Sequence, residues 1–318
     1  MTKPRILLIA TGGTIAGVAG DPLEPSRYRA GSLDADALLK GVPQIARLAD
    51  IRVCQPFNLD SSDLGPEHWL RIAREVADAM ADGSVAGVVV THGTDTLEET
   101  AFLLDRLIEP SKPLVMTCAM RPANALSADG PSNLLRSVEA ALTPTVGSLG
   151  TVVVANEHIH AAAWLRKGDT QALDAFDHVA SRIGRCGPVQ IDARPQLPAR
   201  APELLATLDR LPRVDVLWVG AGSDADLLRA SLDRGARGVV LALPGNGTLP
   251  AAWRDAVAEA LACHVPVVRA SRCCTGTVGA GPADTAQSFA AGRLGPAQAR
   301  IALMLAISAA LPARHFFP

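Results

Sequence analysis

The sequence predicts an α/β protein of two domains: a larger N-terminal domain with a mainly parallel sheet flanked by helices, and a smaller C-terminal α/β domain. The chain has 318 residues, which is enough for two hydrophobic cores. Short runs rich in Val, Ile and Leu alternate with segments of helical periodicity. A proline-punctuated stretch interrupts this alternation. The predicted domains are therefore residues 1–190 and 213–318, with a linker at 191–212.

In the first domain, continuous apolar runs indicate strands that are covered on both faces, as in a parallel sheet. The predicted strands are residues 6–10, 87–90, 114–118 and 151–155. Amphipathic patterns between them predict helices over residues 66–80, from Thr96 onward and from about Pro131. Thr96 and Glu99 have the spacing of a capping box.

The linker is marked by four prolines and contains a predicted short helix at residues 203–211. Its prolines are Pro195, Pro198, Pro202 and Pro212. The second domain repeats the strand–helix alternation. Its predicted strands are 214–219, 238–243 and 265–269, and its predicted helices are 223–233, 249–263 and 296–311.

The charge balance argues against a polyanionic partner. Thirty Lys and Arg residues nearly cancel 32 Asp and Glu residues, so neither nucleic acid nor an anionic membrane is expected. The six cysteines form no CxxC pair, and no apolar run approaches a membrane span. We therefore expect a cytoplasmic protein whose partners are small molecules or further copies of the chain.

A glycine-rich loop, TGGTIAG at residues 11–17, follows the first predicted strand. Such loops often bind phosphate, but this one lacks the lysine of a P-loop and the second glycine of a dinucleotide fingerprint. The alternative is a nucleophilic threonine, which needs a nearby base and backbone N–H donors. A turn or N-cap role remains open for an isolated threonine of this kind.

A second loop strengthens the catalytic interpretation. The segment VVVTHGTDTLEE, residues 88–99, again passes from a strand through a small polar loop to a helix. In a doubly wound sheet both loops emerge at the carboxyl edge, where ligands bind. Because Thr96 and Glu99 can cap the helix, Thr94 and Asp95 are available for other roles.

Three further features are candidate site residues to which the local sequence pattern alone assigns no function. Ser61 and Ser62 lie in a polar turn that could be an ordinary loop or could bind a carboxylate. Lys167 could be a solvated surface lysine. Tyr28, the only tyrosine, lies in a loop that we expect to move.

His158 and His160 form an HxH pair with no acidic or cysteine cluster beside it, so no metal site is expected.

Taken together, TGGTIAG and THGTDTLEET (residues 91–100) resemble the bacterial L-asparaginase family. The resemblance continues through residues 112–122, 127–133, 244–249 and 271–276 and so spans nearly the whole chain. It implies hydrolysis of L-asparagine, with glutaminase-asparaginase activity on L-glutamine as the alternative. It implies no cofactor and an acyl-enzyme on a threonine.

The resemblance also implies a role for each candidate residue. Thr14, not Thr11, matches the nucleophile, and Tyr28 matches the tyrosine that activates it. Thr94, Asp95 and Lys167 match a second proton relay. Ser61, with Ser62 beside it, matches the residue that binds the substrate α-carboxylate, and Asp95 also matches the partner of the α-ammonium. With the substrate held at these two ends its carboxamide points at Thr14, and we expect the backbone N–H groups of Gly13 and Thr94 to bind the oxyanion.

Assembly follows from the same resemblance, which implies a homotetramer built as a dimer of dimers. Asn246 is expected to contact the α-ammonium end of a substrate held by another copy. The family's acidic residue from that neighbour has no clear match, and only Asp284 is available near it. A tRNA-dependent amidotransferase subunit would need a further domain, and a non-catalytic binding module would be expected to lack one or more relay residues.

Overall fold

The computed structural model describes residues 2–21, 24, 27–176, 181–194, 199–282 and 284–318. Pro195 and Pro198 of the predicted linker lie outside the described residues. The chain divides into two compact units, residues 1–196 and 197–318. The division falls inside the predicted linker, whose limits at 191 and 212 stay a prediction.

The described part of the first unit contains a mixed sheet of eight strands and a separate two-stranded ribbon, β2–β3. The strands are β1 Arg5–Ala10, β2 Val18–Ala19, β3 Tyr28–Arg29, β4 Asp50–Cys54, β5 Val85–Thr91, β6 Leu114–Thr117, β7 Thr151–Ala155, β8 His158–Ala161, β9 Arg182–Arg185 and β10 Gln190–Ile191. The order in the sheet is β10-β9-β8-β7-β6-β5-β1-β4. The five neighbouring strands from β7 to β4 are parallel, and β8, β9 and β10 are added antiparallel. The predicted fold class is confirmed.

The helices of this unit follow the predicted alternation. They are α1 Ala35–Lys40, α2 Ile45–Leu48, α3 Pro66–Ala81, α4 Leu97–Leu107 and α5 Gly130–Ala141, with short 3₁₀ segments at Thr14–Ala16, Ser61–Asp63, Pro144–Leu149 and Ala162–Trp164. Helix α3 begins with proline at its first position and buries Trp69, Ile72 and Val76 as one stripe. This is the packing that its sequence period predicts.

Two local predictions need correction. Thr96 makes no side-chain cap at the start of α4, because its hydroxyl donates to the carbonyl oxygen of Ser61 at 2.8 Å. Tyr28 lies on strand β3 and not in an irregular loop. For Thr96, a contact with a segment distant in sequence replaces the helix cap that the pattern indicates, and for Tyr28, pairing with Ala19 replaces the irregular loop.

The described part of the second unit contains a four-stranded parallel sheet and three α-helices. Its elements are β11 Val214–Trp218, α6 Asp226–Asp233, β12 Gly238–Leu243, α7 Arg254–Ala262, β13 Val267–Ser271, β14 Ser288–Ala290 and α8 Pro296–Ser308, with 3₁₀ segments at Pro202–Ala206 and Ala251–Trp253. The order in the sheet is β11-β12-β13-β14. Strand β12 is buried along its whole length. Among the described residues, no helix in either unit is long and apolar enough to cross a membrane.

Candidate active site

The loops after β1 and β5 meet where the order of the sheet reverses. From β1 the chain passes to β4 on one side, and β5, on the other side of β1, leads on to β6. Such a reversal opens a crevice at the carboxyl ends of the two central strands. Here the Thr11 N–H and the Thr11 hydroxyl both donate to the carbonyl oxygen of Thr91, at 3.2 and 2.8 Å. Thr11 therefore ties the two loops together.

Glycines allow three loops to pack closely at this edge. A Cβ on Gly13, whose φ is +81°, would lie 2.3 Å from the Cα of Gly93. A Cβ on Gly93 would lie 2.5 Å from Ser61 Oγ. Only hydrogen fits at these two positions, so the glycines of TGG and THG are required by the contact between loops.

Thr14 is the first residue of the 3₁₀ segment after β1, and it is buried. Its Oγ1 lies 2.6 Å from the Tyr28 hydroxyl, a hydrogen bond in which either group can donate. A Cβ on Gly17 would come within 2.6 Å of Tyr28 Cδ2, so that glycine makes room for the aromatic ring. The predicted pair of Thr14 and Tyr28 is thus in contact.

A second cluster follows β5. Lys167 Nζ donates to Thr94 Oγ1 at 2.9 Å and to Asp95 Oδ1 at 2.5 Å. Thr94 Oγ1 lies 3.4 Å from the same carboxylate oxygen. The Lys167 side chain is 20% exposed and that of Asp95 57%. Lys167 is therefore not a solvated surface lysine, and its charge is paired with a carboxylate that still faces solvent.

Glu98 belongs to this cluster, although the sequence patterns did not single it out. Its Oε2 accepts a hydrogen bond from the backbone N–H of Lys167 at 3.1 Å. Burial raises the pKa of this carboxyl to about 7. The available signal was its position in the first turn of α4, directly after the polar loop that contains Thr94 and Asp95.

The two serines behave differently. Ser61 is buried, and its Oγ accepts a hydrogen bond from the backbone N–H of Asp95 at 3.2 Å. Ser62 is exposed and donates to Asp60 Oδ1 at 2.8 Å, as part of the turn that precedes α3. Only Ser61 contacts the Thr94–Asp95 loop through its hydroxyl.

The oxyanion role expected of Gly13 needs correction. Its N–H donates to the carbonyl oxygen of Leu59 at 2.9 Å and is therefore engaged inside the protein. The N–H groups of Thr14 and Thr94 have no hydrogen-bond partner within the part of the chain that the structure describes. For Thr14 this follows from its place at the start of a helical segment, where N–H groups lack internal acceptors.

Asn246 and Asp284 belong to the second unit. Asn246 follows β12, and its Oδ1 accepts from the backbone N–H of Gly279 at 3.2 Å. The Asp284 carboxylate is 9% exposed and is bound by the Arg269 guanidinium at 2.6 Å and by the Gly281 N–H at 3.1 Å. Asp284 is thus engaged within its own unit and is poorly suited to replace an acidic group offered to another chain.

Comparison with known proteins agrees with the sequence motifs. Residues 5–197 match the family model "Asparaginase, N-terminal", and residues 213–315 match "Glutaminase/Asparaginase C-terminal domain". L-asparaginase 2 of Escherichia coli is 36% identical, over 97% of this chain and 90% of the relative. The glutaminase-asparaginase of Acinetobacter glutaminasificans is 33% identical, over 96% of each chain.

A solved structure extends the agreement to three dimensions. The probable cytoplasmic L-asparaginase from Campylobacter jejuni superposes with a TM-score of 0.92 at 36% identity, covering 96% of this chain and 95% of that one. These matches define a hydrolase built from two α/β domains. The chain belongs to the asparaginase family, as its motifs indicated.

Proposed function

We propose that this protein hydrolyses the side-chain amide of L-asparagine to L-aspartate and ammonia, with Thr14 as the nucleophile. One observation carries the proposal. Two threonine hydroxyls follow adjacent parallel strands, and each contacts a group that can relay a proton: Tyr28 for Thr14 at 2.6 Å and Lys167 for Thr94 at 2.9 Å. A weak hydroxyl nucleophile needs such a partner.

In the first step, Thr14 Oγ attacks the amide carbon, and its proton passes through the Tyr28 hydroxyl to the amide nitrogen. The carbon–nitrogen bond of the tetrahedral intermediate then breaks, and ammonia departs, leaving an ester of Thr14. Water attacks this ester and gives one proton to the Thr94–Lys167–Asp95 relay; the bond from carbon to Thr14 Oγ breaks, a proton returns to Thr14, and L-aspartate leaves. The free N–H groups of Thr14 and Thr94 stabilise the oxyanion in both steps.

The α-substituents of the substrate have candidate partners of the right chemistry. Because Ser61 Oγ accepts from the Asp95 N–H, its own hydroxyl proton remains available to donate to the α-carboxylate. Ser62 lies beside it but is turned toward Asp60. The exposed Asp95 carboxylate attracts the α-ammonium of the substrate, and Asn246 of a second copy of the chain contacts the same end of the substrate.

A broader amide specificity is the second candidate, since one relative with this architecture is named glutaminase-asparaginase. One methylene changes transition-state binding by only about 1–3 kcal/mol, so the motifs alone do not separate the two substrates. Ammonia release should be measured with L-asparagine and L-glutamine over full concentration ranges. A higher kcat/KM for L-asparagine supports the main proposal; equal values support the alternative, and no release from either contradicts both.

The assembly proposed is a homotetramer made of two dimers, working in the cytoplasm. Chains with Thr14→Ala and chains with Asn246→Ala should each be inactive alone. Mixed dimers should regain activity, because one of their two sites then contains neither change. Mixtures that stay inactive after verified subunit exchange would contradict a shared site.

A further inference from the structure

The ribbon that carries Tyr28 is too short to hold its own shape. Strands β2 and β3 contain two residues each, paired as Val18 with Arg29 and Ala19 with Tyr28. An isolated two-stranded ribbon is at best marginally stable in water. The 2.6 Å contact between Tyr28 and Thr14 therefore depends on what fixes the ribbon to the rest of the unit.

Asn124 fixes one strand of the ribbon. Its Oδ1 accepts from the backbone N–H of Ala19 at 2.8 Å, and its Nδ2 donates to the Ala19 carbonyl oxygen at 2.8 Å. Ala19 is the residue that pairs with Tyr28 across the ribbon. The Asn124 amide thus occupies the outer edge of β2 in the way that a third strand would.

Asn58 fixes the chain just after the other strand. Both protons of its Nδ2 are used, toward the carbonyl oxygens of Gly31 at 2.7 Å and Leu33 at 3.0 Å. Its Oδ1 is buried without a hydrogen-bond partner among the described residues. A Cβ on Gly12 or on Gly31 would lie 2.9 Å from this oxygen. The Asn58 amide therefore packs closely between the TGG loop after β1 and the segment that follows Tyr28.

We propose that Asn58 and Asn124 are positioning residues that together hold the Tyr28 hydroxyl against Thr14. The inference deepens the proposed function and rests on it for its kinetic part. Within the described residues, the side-chain hydrogen bonds of both asparagines go to the backbone of Ala19, Gly31 and Leu33, and none goes to Thr14, Thr94 or Lys167. Each acts through backbone groups of the Tyr28 segment, one across from Tyr28 and one after it.

The hydrogen bonds of Asn58 favour a role in placing the Tyr28 segment. Its two donors bind the carbonyl oxygens on either side of Ser32, a short distance along the chain from Tyr28. Two hydrogen bonds from one amide to alternate residues fix the direction of the backbone there, and removal of the donors would leave both carbonyl oxygens without this partner.

The lone tyrosine makes the proposal directly measurable. Incorporation of 3-fluorotyrosine into the full chain gives one ¹⁹F resonance, from position 28. We would compare the labelled unchanged protein with Asn58→Asp, which keeps the shape but replaces both donors by a carboxylate oxygen, and with Asn124→Leu, which removes both Ala19 contacts. Lys112→Met is the matched control, because Lys112 also donates to three carbonyl oxygens, of Ala79, Asp82 and Val85.

Both asparagine variants should shift or broaden the ¹⁹F resonance of Tyr28. They should also lower kcat about 10- to 100-fold with KM nearly unchanged, since misplacement of a catalytic group by about 1 Å slows a reaction by a factor of this order. Lys112→Met should lower the unfolding midpoint and leave the resonance and kcat unchanged. If Asn58→Asp does not fold, Asn124→Leu decides the matter. An unchanged resonance and kcat in folded variants would overturn the proposal, whereas an unchanged protein that releases no ammonia would instead contradict the proposed function.

Discussion

The Glu98 carboxylate and the backbone N–H of Lys167 are joined by a hydrogen bond of 3.1 Å. Lys167 lies in a segment without regular secondary structure after Trp164, and its ammonium reaches Thr94 and Asp95. The start of α4 and the loop before it therefore hold the lysine from two sides: Glu98, in the first turn of the helix, binds its backbone, and Asp95, in the loop, binds its side chain. These hydrogen bonds hold the long Lys167 side chain in one position, although the segment that carries it has no regular secondary structure.

Glu98→Gln should make the protein more stable in alkaline solution. The pKa of the Glu98 carboxyl is about 7 in the folded protein, against an ordinary value of 4.5 that applies to the unfolded chain. Between these two values the folded state binds more protons than the unfolded state, so the free energy of unfolding falls as pH rises. By pH 8 the penalty is about 3 kcal/mol, and at pH 4 it is absent. Unfolding midpoints of both proteins at pH 5 and pH 8 test this. A stability gap independent of pH would argue against a buried, titrating carboxyl.

His92 should make the fold sensitive to acid. It is fully buried between Gly93 O and the Thr100 hydroxyl, and burial lowers its pKa to about 4. The unfolded state then binds the proton first as pH falls below 6.5, so stability present above that pH is lost toward pH 4. We expect a loss of about 2–3 kcal/mol by pH 4.5. His92→Gln should remove this part of the pH dependence of unfolding; an equally steep profile would exclude His92 as its source.

Lys167→Met should lower kcat by about 10²–10⁴-fold, the range typical of a lost proton-transfer group. The methylene stem is preserved, but the contacts with Thr94 and Asp95 are removed. Lys40→Met, at the exposed end of α1, is the matched control and should behave like the unchanged protein. Steady-state ammonia release measures both, and similar kcat values for the two variants would remove Lys167 from the reaction.

Gly93→Ala should damage substrate binding. The new Cβ would lie 2.5 Å from Ser61 Oγ and 2.7 Å from Ser61 Cβ, so Ser61 must move. Overpacking of this kind costs about 1–3 kcal/mol, and here it acts on the proposed α-carboxylate site. We expect a raised KM and a lowered unfolding midpoint. Gly83→Ala, where no atom beyond the two neighbouring residues in the chain lies within 4 Å of the added carbon, should change neither quantity.

The sequence predicts the strands and loops of the site well, because these follow from local patterns. The buried runs of β7 and β12 are found at their predicted bounds, and the polar loops after β1 and β5 lie at one edge of the sheet. Antiparallel β8 and β9 and the ribbon of Tyr28 are too short and too polar to show the same pattern.

Contacts between distant segments account for the residues that the patterns missed. Glu98 gains its role only through the fold, which brings residue 167 beside α4. The Gly13 N–H is engaged by Leu59, a partner that no local motif indicates. Thr96 is also engaged by a distant segment, since its hydroxyl donates to the Ser61 carbonyl oxygen and does not cap the N-terminus of α4.

The central claim is that Thr14, and not Thr11, attacks the substrate, and a comparison of Thr14→Ala with Thr11→Ala tests it most directly. Thr11 donates its hydroxyl to Thr91 O, so its loss should cost about 1 kcal/mol of stability and leave most turnover intact. Thr14 Oγ1 bonds only the Tyr28 hydroxyl among the described residues, and its loss should abolish ammonia release from L-asparagine while folding and binding of L-aspartate persist. Substantial ammonia release by folded Thr14→Ala would contradict the account.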